Sequence, residues 1–130
     1  FGAAQGTTVN DVMLDVAGKV TFNVTGSYNI QQIYYGSSAI NNIPILNFKT
    51  VKDGSDQIGP TSTTRFKSNN SLERHRIEIN SLIDVIAGSY YHFWVQNPTS
   101  GAAAQLSNQV TDAAWGTDVP CAQLIITKLQ

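Results

Sequence analysis

The chain has 130 residues, the length of one ordinary domain, and 42% of them are hydrophobic. That is enough to bury a full core without staples and too apolar for a disordered chain. Only 13% are charged and the net charge is −1, which excludes a global field that would draw in nucleic acid or an anionic membrane.

Phe1 to Gly6 reads as a leader from an upstream stalk, and residues 7–130 as a single domain. The chain opens on Phe1 rather than Met, so it is taken as a processed product or an excised domain. Thr7 to Val16, with Val9, Val12 and Leu14 among polar residues, predicts an irregular first strand. Val20, Phe22 and Val24 alternate with Thr21 and Asn23, placing three apolar side chains on one face of a strand. Gly26 permits a turn. Tyr28, Ile30 and Tyr34 then share one face of the next strand, with Ile33 and Tyr35 on the other. A strand apolar on both faces is buried on both, and a neighbouring subunit is the simplest second cover.

Gly36-Ser37-Ser38 is a turn. Ile43 to Val51 predicts a strand, with Pro44 near its start where a missing N–H is tolerated. Lys52-Asp53-Gly54-Ser55 carries the Asp-Gly signal of a tight hairpin. Thr63 to Lys67 and Arg74 to Asn80 are short strands flanking a Ser68-Asn69-Asn70-Ser71 turn. Leu82 to Ile86 is an apolar run ended by Ala87-Gly88. In Ser89 to Gln96, Tyr91, Phe93 and Val95 take one face, and Tyr90, His92 and Trp94 the other. Ala102 to Val110 is weakly patterned, and Asp112 to Pro120 is a loop. Cys121 to Leu129 closes the chain as a strand, Leu124 and Ile126 facing one way, Ile125 and Leu129 the other. Eight to ten short strands with turns between them and no amphipathic helix predict an all-β sandwich or jelly roll.

Three segments carry a resemblance. Phe22-Asn-Val-Thr-Gly-Ser-Tyr28, the stretch Leu82 to Val95, and the ending Ala122 to Leu129 are similar, in order and spacing, to regions of C1q-like and tumour-necrosis-factor-like heads. The resemblance implies a ten-strand jelly roll that assembles as a tight homotrimer, often at the tip of a stalk. The surface, rich in Asn, Gln and Thr, points within that group to the knob of a viral or phage spike or fibre.

Enzyme signatures are missing: no Gly-x-Ser-x-Gly, no phosphate-cradling glycine loop, no His-Glu-x-x-His and no Ser-x-x-Lys. Glu73 and Glu78 fall on opposite faces of a strand and make a poor acid–base pair. Cys121 is the only cysteine, so no internal disulfide forms. With His75 and His92 it cannot build a Cys-x-x-Cys zinc site. The pairs Asp53, Asp56 and Asp112, Asp118 do not match a calcium ligand set. Neither metal nor other cofactor is expected, and no apolar run approaches the roughly 20 residues of a membrane span.

Two clusters remain. Every arginine lies between Arg65 and Arg76, where Arg65, Lys67, Arg74, His75 and Arg76 are read as one charged hairpin. Guanidinium forks bind carboxylate or phosphate, so this hairpin is the expected contact for an anionic glycan; otherwise it is a soluble edge or a salt-bridged boundary. Tyr90, His92 and Trp94, with Tyr28, Ile30 and Tyr34, are expected at the trimer interface; the alternative for the first three is a sugar-stacking platform. The function expected is non-enzymatic attachment to a host-surface receptor, by a trimeric head on a virion or in an extracellular setting. A structural or lectin-like head on a bacterial or animal filament comes second, and a monomeric carbohydrate-binding module third.

Overall fold

The computed structural model describes residues 10–38, 45–53, 62–65, 75–96, 104–106 and 121–129. Over them the alternating sequence forms nine strands: β1 (Val12–Leu14), β2 (Val20–Phe22), β3 (Gly26–Ser38), β4 (Ile45–Lys52), β5 (Ser62–Arg65), β6 (His75–Val85), β7 (Tyr90–Gln96), β8 (Ala104–Leu106) and β9 (Ala122–Lys128). There is no helix among the described residues, and every pairing is antiparallel. Five strands form one sheet in the order β1-β2-β7-β4-β5. In the other, β3 lies between β6 on one side and β9 and β8 on the other.

The pairings β2 with β7, β3 with β6 and β4 with β5 are nested in sequence. Nesting is what a long antiparallel ribbon produces. Coiling that ribbon brings β7 beside β4 and β9 beside β3. The result is a β-sandwich whose winding is compatible with a jelly roll.

The two sheets are joined by alternating side chains of β3. Tyr28, Ile30, Gln32 and Tyr34 all point inward and are almost fully buried. At one end Tyr28 and Ile30 pack with Val20, Phe22, Val85 and Tyr91. At the other, Tyr34 packs with Leu46, Phe48, Ile77 and Ile79. Phe22 stands edge-on to Tyr28 at 4.8 Å and to Tyr91 at 5.4 Å; such pairs add to plain area burial. Both core phenols are matched: Tyr34 Oη donates to Gln32 Oε1 at 2.8 Å, and Tyr28 Oη to the Val24 carbonyl at 2.8 Å. Burial pushes both phenols above their ordinary pKa.

Several local expectations shift. Gly26 does not form the turn after β2; it already pairs with Val85, and the chain turns at 23–25. The segments 74–80 and 82–86 merge into the single strand β6. Gly54 and Ser55 of the expected hairpin turn lie outside the described residues, within which the β4–β5 pairing runs from Ile45 and Arg65 to Phe48 and Ser62. Asp53, at φ 49°, clasps the start of β7: its N–H donates to the Tyr90 carbonyl and its Oδ1 accepts from the Tyr90 N–H, both at 2.9 Å. The weakly patterned 102–110 segment contributes the short strand β8. Residues 1–6, the expected leader, lie outside the described residues.

The turn from β6 to β7 crosses between the sheets and is tied to the end of β2. The Gly88 N–H donates to the Phe22 carbonyl at 2.7 Å, and the Ala87 N–H to Thr25 Oγ1 at 2.9 Å. Gly88 sits at φ +91° with open space where a Cβ would be, so a side chain there meets backbone strain and no clash. Gly88→Ala is expected to cost about 1 kcal/mol. Phe22→Ala removes the ring shared by both sheets and should cost about 3–5 kcal/mol, whereas Val16→Ala, at a fully exposed position, should stay within about 0.5 kcal/mol. Urea unfolding of the three variants checks the order; a Phe22 loss no larger than the Gly88 loss would show that this end of the core does not join the sheets.

Candidate functional site

The period of two along β7 sends Tyr91, Phe93 and Val95 toward the core and Tyr90, His92 and Trp94 to the outer face of the five-stranded sheet. Antiparallel register then fixes their neighbours. Thr21 of β2 lies opposite Tyr90; Val51 and Lys49 of β4 lie opposite His92 and Trp94. Met13 of β1, opposite Thr21, extends the same face. Tyr90 meets His92 edge-on at 5.8 Å, and His92 meets Trp94 at 6.3 Å with an interplanar angle of 44°. Trp94 remains 54% exposed. The three rings form one stripe along a central strand.

The turn between β1 and β2 borders the stripe. Asp-x-x-Gly is a type I turn pattern, and here Asp15 Oδ1 accepts from the Ala17 and Lys19 N–H groups, both at 2.9 Å, while Gly18 takes φ +81°. The turn carries Lys19 Nζ to 5.5 Å from the Tyr90 ring centroid and 3.7 Å from Asp15 Oδ2. The Lys19 amide above all holds the Asp15 carboxyl below its ordinary value. Desolvation, the second largest influence, opposes it, and the Ala17 amide and the charges of Lys19 and His92 add to the lowering.

Among the described residues the two strands expected to form the charged hairpin at Arg65–Arg76 are not paired with each other. β5, ending at Arg65, pairs with β4 in the five-stranded sheet, whereas β6, beginning at His75, pairs with β3 in the other. The Arg65 side chain and residues Lys67 and Arg74 lie outside the described residues. Arg76 is on the outer face of the four-stranded sheet, where its Nη1 is 2.6 Å from Glu78 Oε2. Gln31 Nε2 and Asn80 Nδ2 also donate to Glu78. These hydrogen bonds, from Gln31 first, hold its carboxyl below the usual range, with the Arg76 charge assisting. The salt-bridge alternative therefore describes Arg76, with its partner in the same chain.

Tyr28, Ile30 and Tyr34, expected between subunits, are each 1% exposed in the single chain and belong to the inter-sheet core. Ile33, on the opposite face of β3, is also buried within the chain, between Glu78 and Gln123 in register. So β3 itself does not require a second cover. Of the six interface candidates, the stripe residues Tyr90, His92 and Trp94 are the ones on an outer face.

Asp53 spends one carboxylate oxygen on the Tyr90 amide; Asp56, Asp112 and Asp118 lie outside the described residues. Among the described residues no group of three or more His, Cys, Asp or Glu is placed to hold a metal ion. Sequence reading found the three rings but missed Lys49, Val51 and Met13, whose placement depends on register, and Asp15 and Lys19, whose turn signal was legible. Comparison with protein families, curated proteins and solved structures finds no match to the chain.

The Asp15 turn has a pH signature. A carboxyl whose folded pKa is depressed stabilises its fold above the unfolded value, 3.8, and loses that contribution as pH falls through the folded value. Hydrogen exchange of the Ala17 and Lys19 amides should therefore accelerate below about pH 4 relative to strand amides of β7. In Asp15→Ala the same two amides should exchange fast throughout; unchanged protection in that variant would show that backbone geometry alone holds the turn.

Proposed function

We propose that this domain is a non-enzymatic attachment head, displayed on a virion or another extracellular surface, that holds its receptor on the open outer face of the five-stranded sheet. The observation that carries this reading is the half-exposed Trp94 in line with His92 and Tyr90 on a strand paired with β4 along its length and with β2 at its start. Large aromatic side chains lose few rotamers on binding and offer wide contact area, which suits them to recognition surfaces. On a strand within a packed sheet they are held rigidly, so little ordering cost falls on the complex.

The head is proposed to act as a homotrimer. Support comes from the second outer face, that of the four-stranded sheet, where Leu82 and Ile125 stand exposed on either side of β3. Copies meeting there leave the aromatic stripe free on the opposite side of the sandwich. Three weak sites on one rigid body raise avidity by roughly 10²–10⁴ over one. A second reading, a monomeric carbohydrate-binding module, is favoured by the coverage of β3 within a single chain.

Light scattering after size exclusion separates the two: a trimer gives three times 14.1 kDa, and the module gives 14.1 kDa. Leu82→Asp should convert a trimer to monomer while leaving the sandwich folded. Fluorescently labelled protein applied to a panel of intact bacterial and animal cells should bind saturably to at least one, and Trp94→Ala should abolish that binding without changing the oligomer. Cell binding indifferent to Trp94 would remove the stripe from the proposal.

A further inference from the structure

We infer that the stripe face binds an uncharged saccharide, one sugar ring lying flat on Trp94 with its hydroxyls reaching Gln96 and His92. The inference rests on the proposed role of this face in attachment and names the ligand class. The charges of the face decide against an ionic ligand. Lys19 is paired with Asp15 at 3.7 Å and lies over the Tyr90 ring. Lys49, opposite Trp94, is engaged within the chain, as is Asn47 opposite Gln96. An anion therefore meets no cation waiting for it on this face among the described residues. A cation fares no better. Asp15 already accepts from the Ala17 and Lys19 amides, and Asp53 lies at the Tyr90 end of the stripe, where it accepts from the Tyr90 amide.

What the face does offer is uncharged. Trp94, 54% exposed, presents an open ring. The period of two puts Gln96 on the same face one step beyond it, also exposed. His92 stands one step before it, with ring centroids 6.3 Å apart. A primary amide and an imidazole both carry nitrogen and oxygen atoms or ring nitrogens suited to hydroxyl groups. A wholly apolar ligand would be poorly served by a flat, polar-flanked ring, because such ligands bind in enclosing pockets. A sugar ring is matched on both counts: its C–H face packs on the electron-rich face of indole, and its hydroxyl edge meets the polar groups on either side. Because Lys19 lies over Tyr90, stacking centres on Trp94 rather than running the length of the stripe.

The test is saturation-transfer NMR and tryptophan fluorescence on the intact chain. The probes are lactose, maltotriose, cellotriose and chitotriose, with sialyllactose as the charged counterpart of lactose. At least one neutral probe should bind saturably, with an affinity that stays constant as salt is raised, since no exposed charge takes part. Sialyllactose should bind no more tightly than lactose. Trp94→Ala should abolish the signal and Trp94→Phe should keep part of it. Gln96→Ala should weaken binding about fivefold, the scale of one neutral hydrogen bond. Mild periodate, which cleaves sugar diols, should remove the receptor from cells that bind the labelled protein. Absence of binding by every neutral probe, tighter binding of sialyllactose than of lactose, or full binding by Trp94→Ala overturns the inference. Cell binding that needs Trp94, survives periodate and is lost on protease treatment makes the receptor a protein; it overturns the inference and leaves the attachment face standing. Cell binding indifferent to Trp94 removes both.

Discussion

The whole arrangement depends on β3. Thirteen residues long, it is paired on both sides, and its inward side chains are shared between both halves of the core. Tyr28 reaches Phe22 across the sandwich at one end, and Tyr34 reaches Phe48 at 4.8 Å at the other. Because its period is two, a slip of one residue would send Tyr28, Ile30 and Tyr34 to water and bring Asn29 and Gln31 inward. Register is therefore pinned by this strand, and everything on the outer faces takes its position from that register.

The outer faces resolve the apolar surplus of the sequence differently. On the four-stranded sheet, Ile33 is covered by its own neighbours, and Arg76, Glu78, Gln31 and Asn80 form one hydrogen-bonded group beside it. β6 has β3 as its strand partner among the described residues, and the charges of Arg76, Glu78 and Asp84 along it are of the kind that discourage edge pairing. On the five-stranded sheet the surplus stays in view. Trp94 gains little from the fold, since half its surface remains in water; the core is already closed beneath it by Phe93 and Val95.

Most of the fold was legible because β structure writes itself as alternation. The inward sets of β2, β3, β7 and β9 all follow from counting every second residue. What alternation cannot convey is which strand lies beside which. Arg65 and Arg76 look like one hairpin because a turn signal separates them, but ribbon winding places their strands in different sheets. For the same reason, a two-faced strand such as Tyr28–Tyr35 looked as if it needed another chain. Its second face is covered by β6 and β9, one more than 40 residues downstream and the other at the chain's end. The aromatic triad was visible as a set, and its setting was not: Lys49 and Val51 reach it only through the β4–β7 ladder.

That ladder also bears on what the face can do. β7 is bonded to β2 at its start and to β4 along its length, and Asp53 clasps its first residue. A ring on such a strand cannot drift with a loop. Its orientation is set by the backbone, and a neighbouring ring of the stripe restricts its rotamer. A ligand that stacks on it orders little of the protein, so the contact energy is not offset by the loss of side-chain and loop freedom that recognition by flexible loops entails. A flat site of this kind buries less of its ligand than a pocket does and is weak taken singly. Weakness in one site and rigidity across several is the combination in which multivalent display gains most, and it ties the exposed stripe and the proposed assembly of the head to the same physical cause.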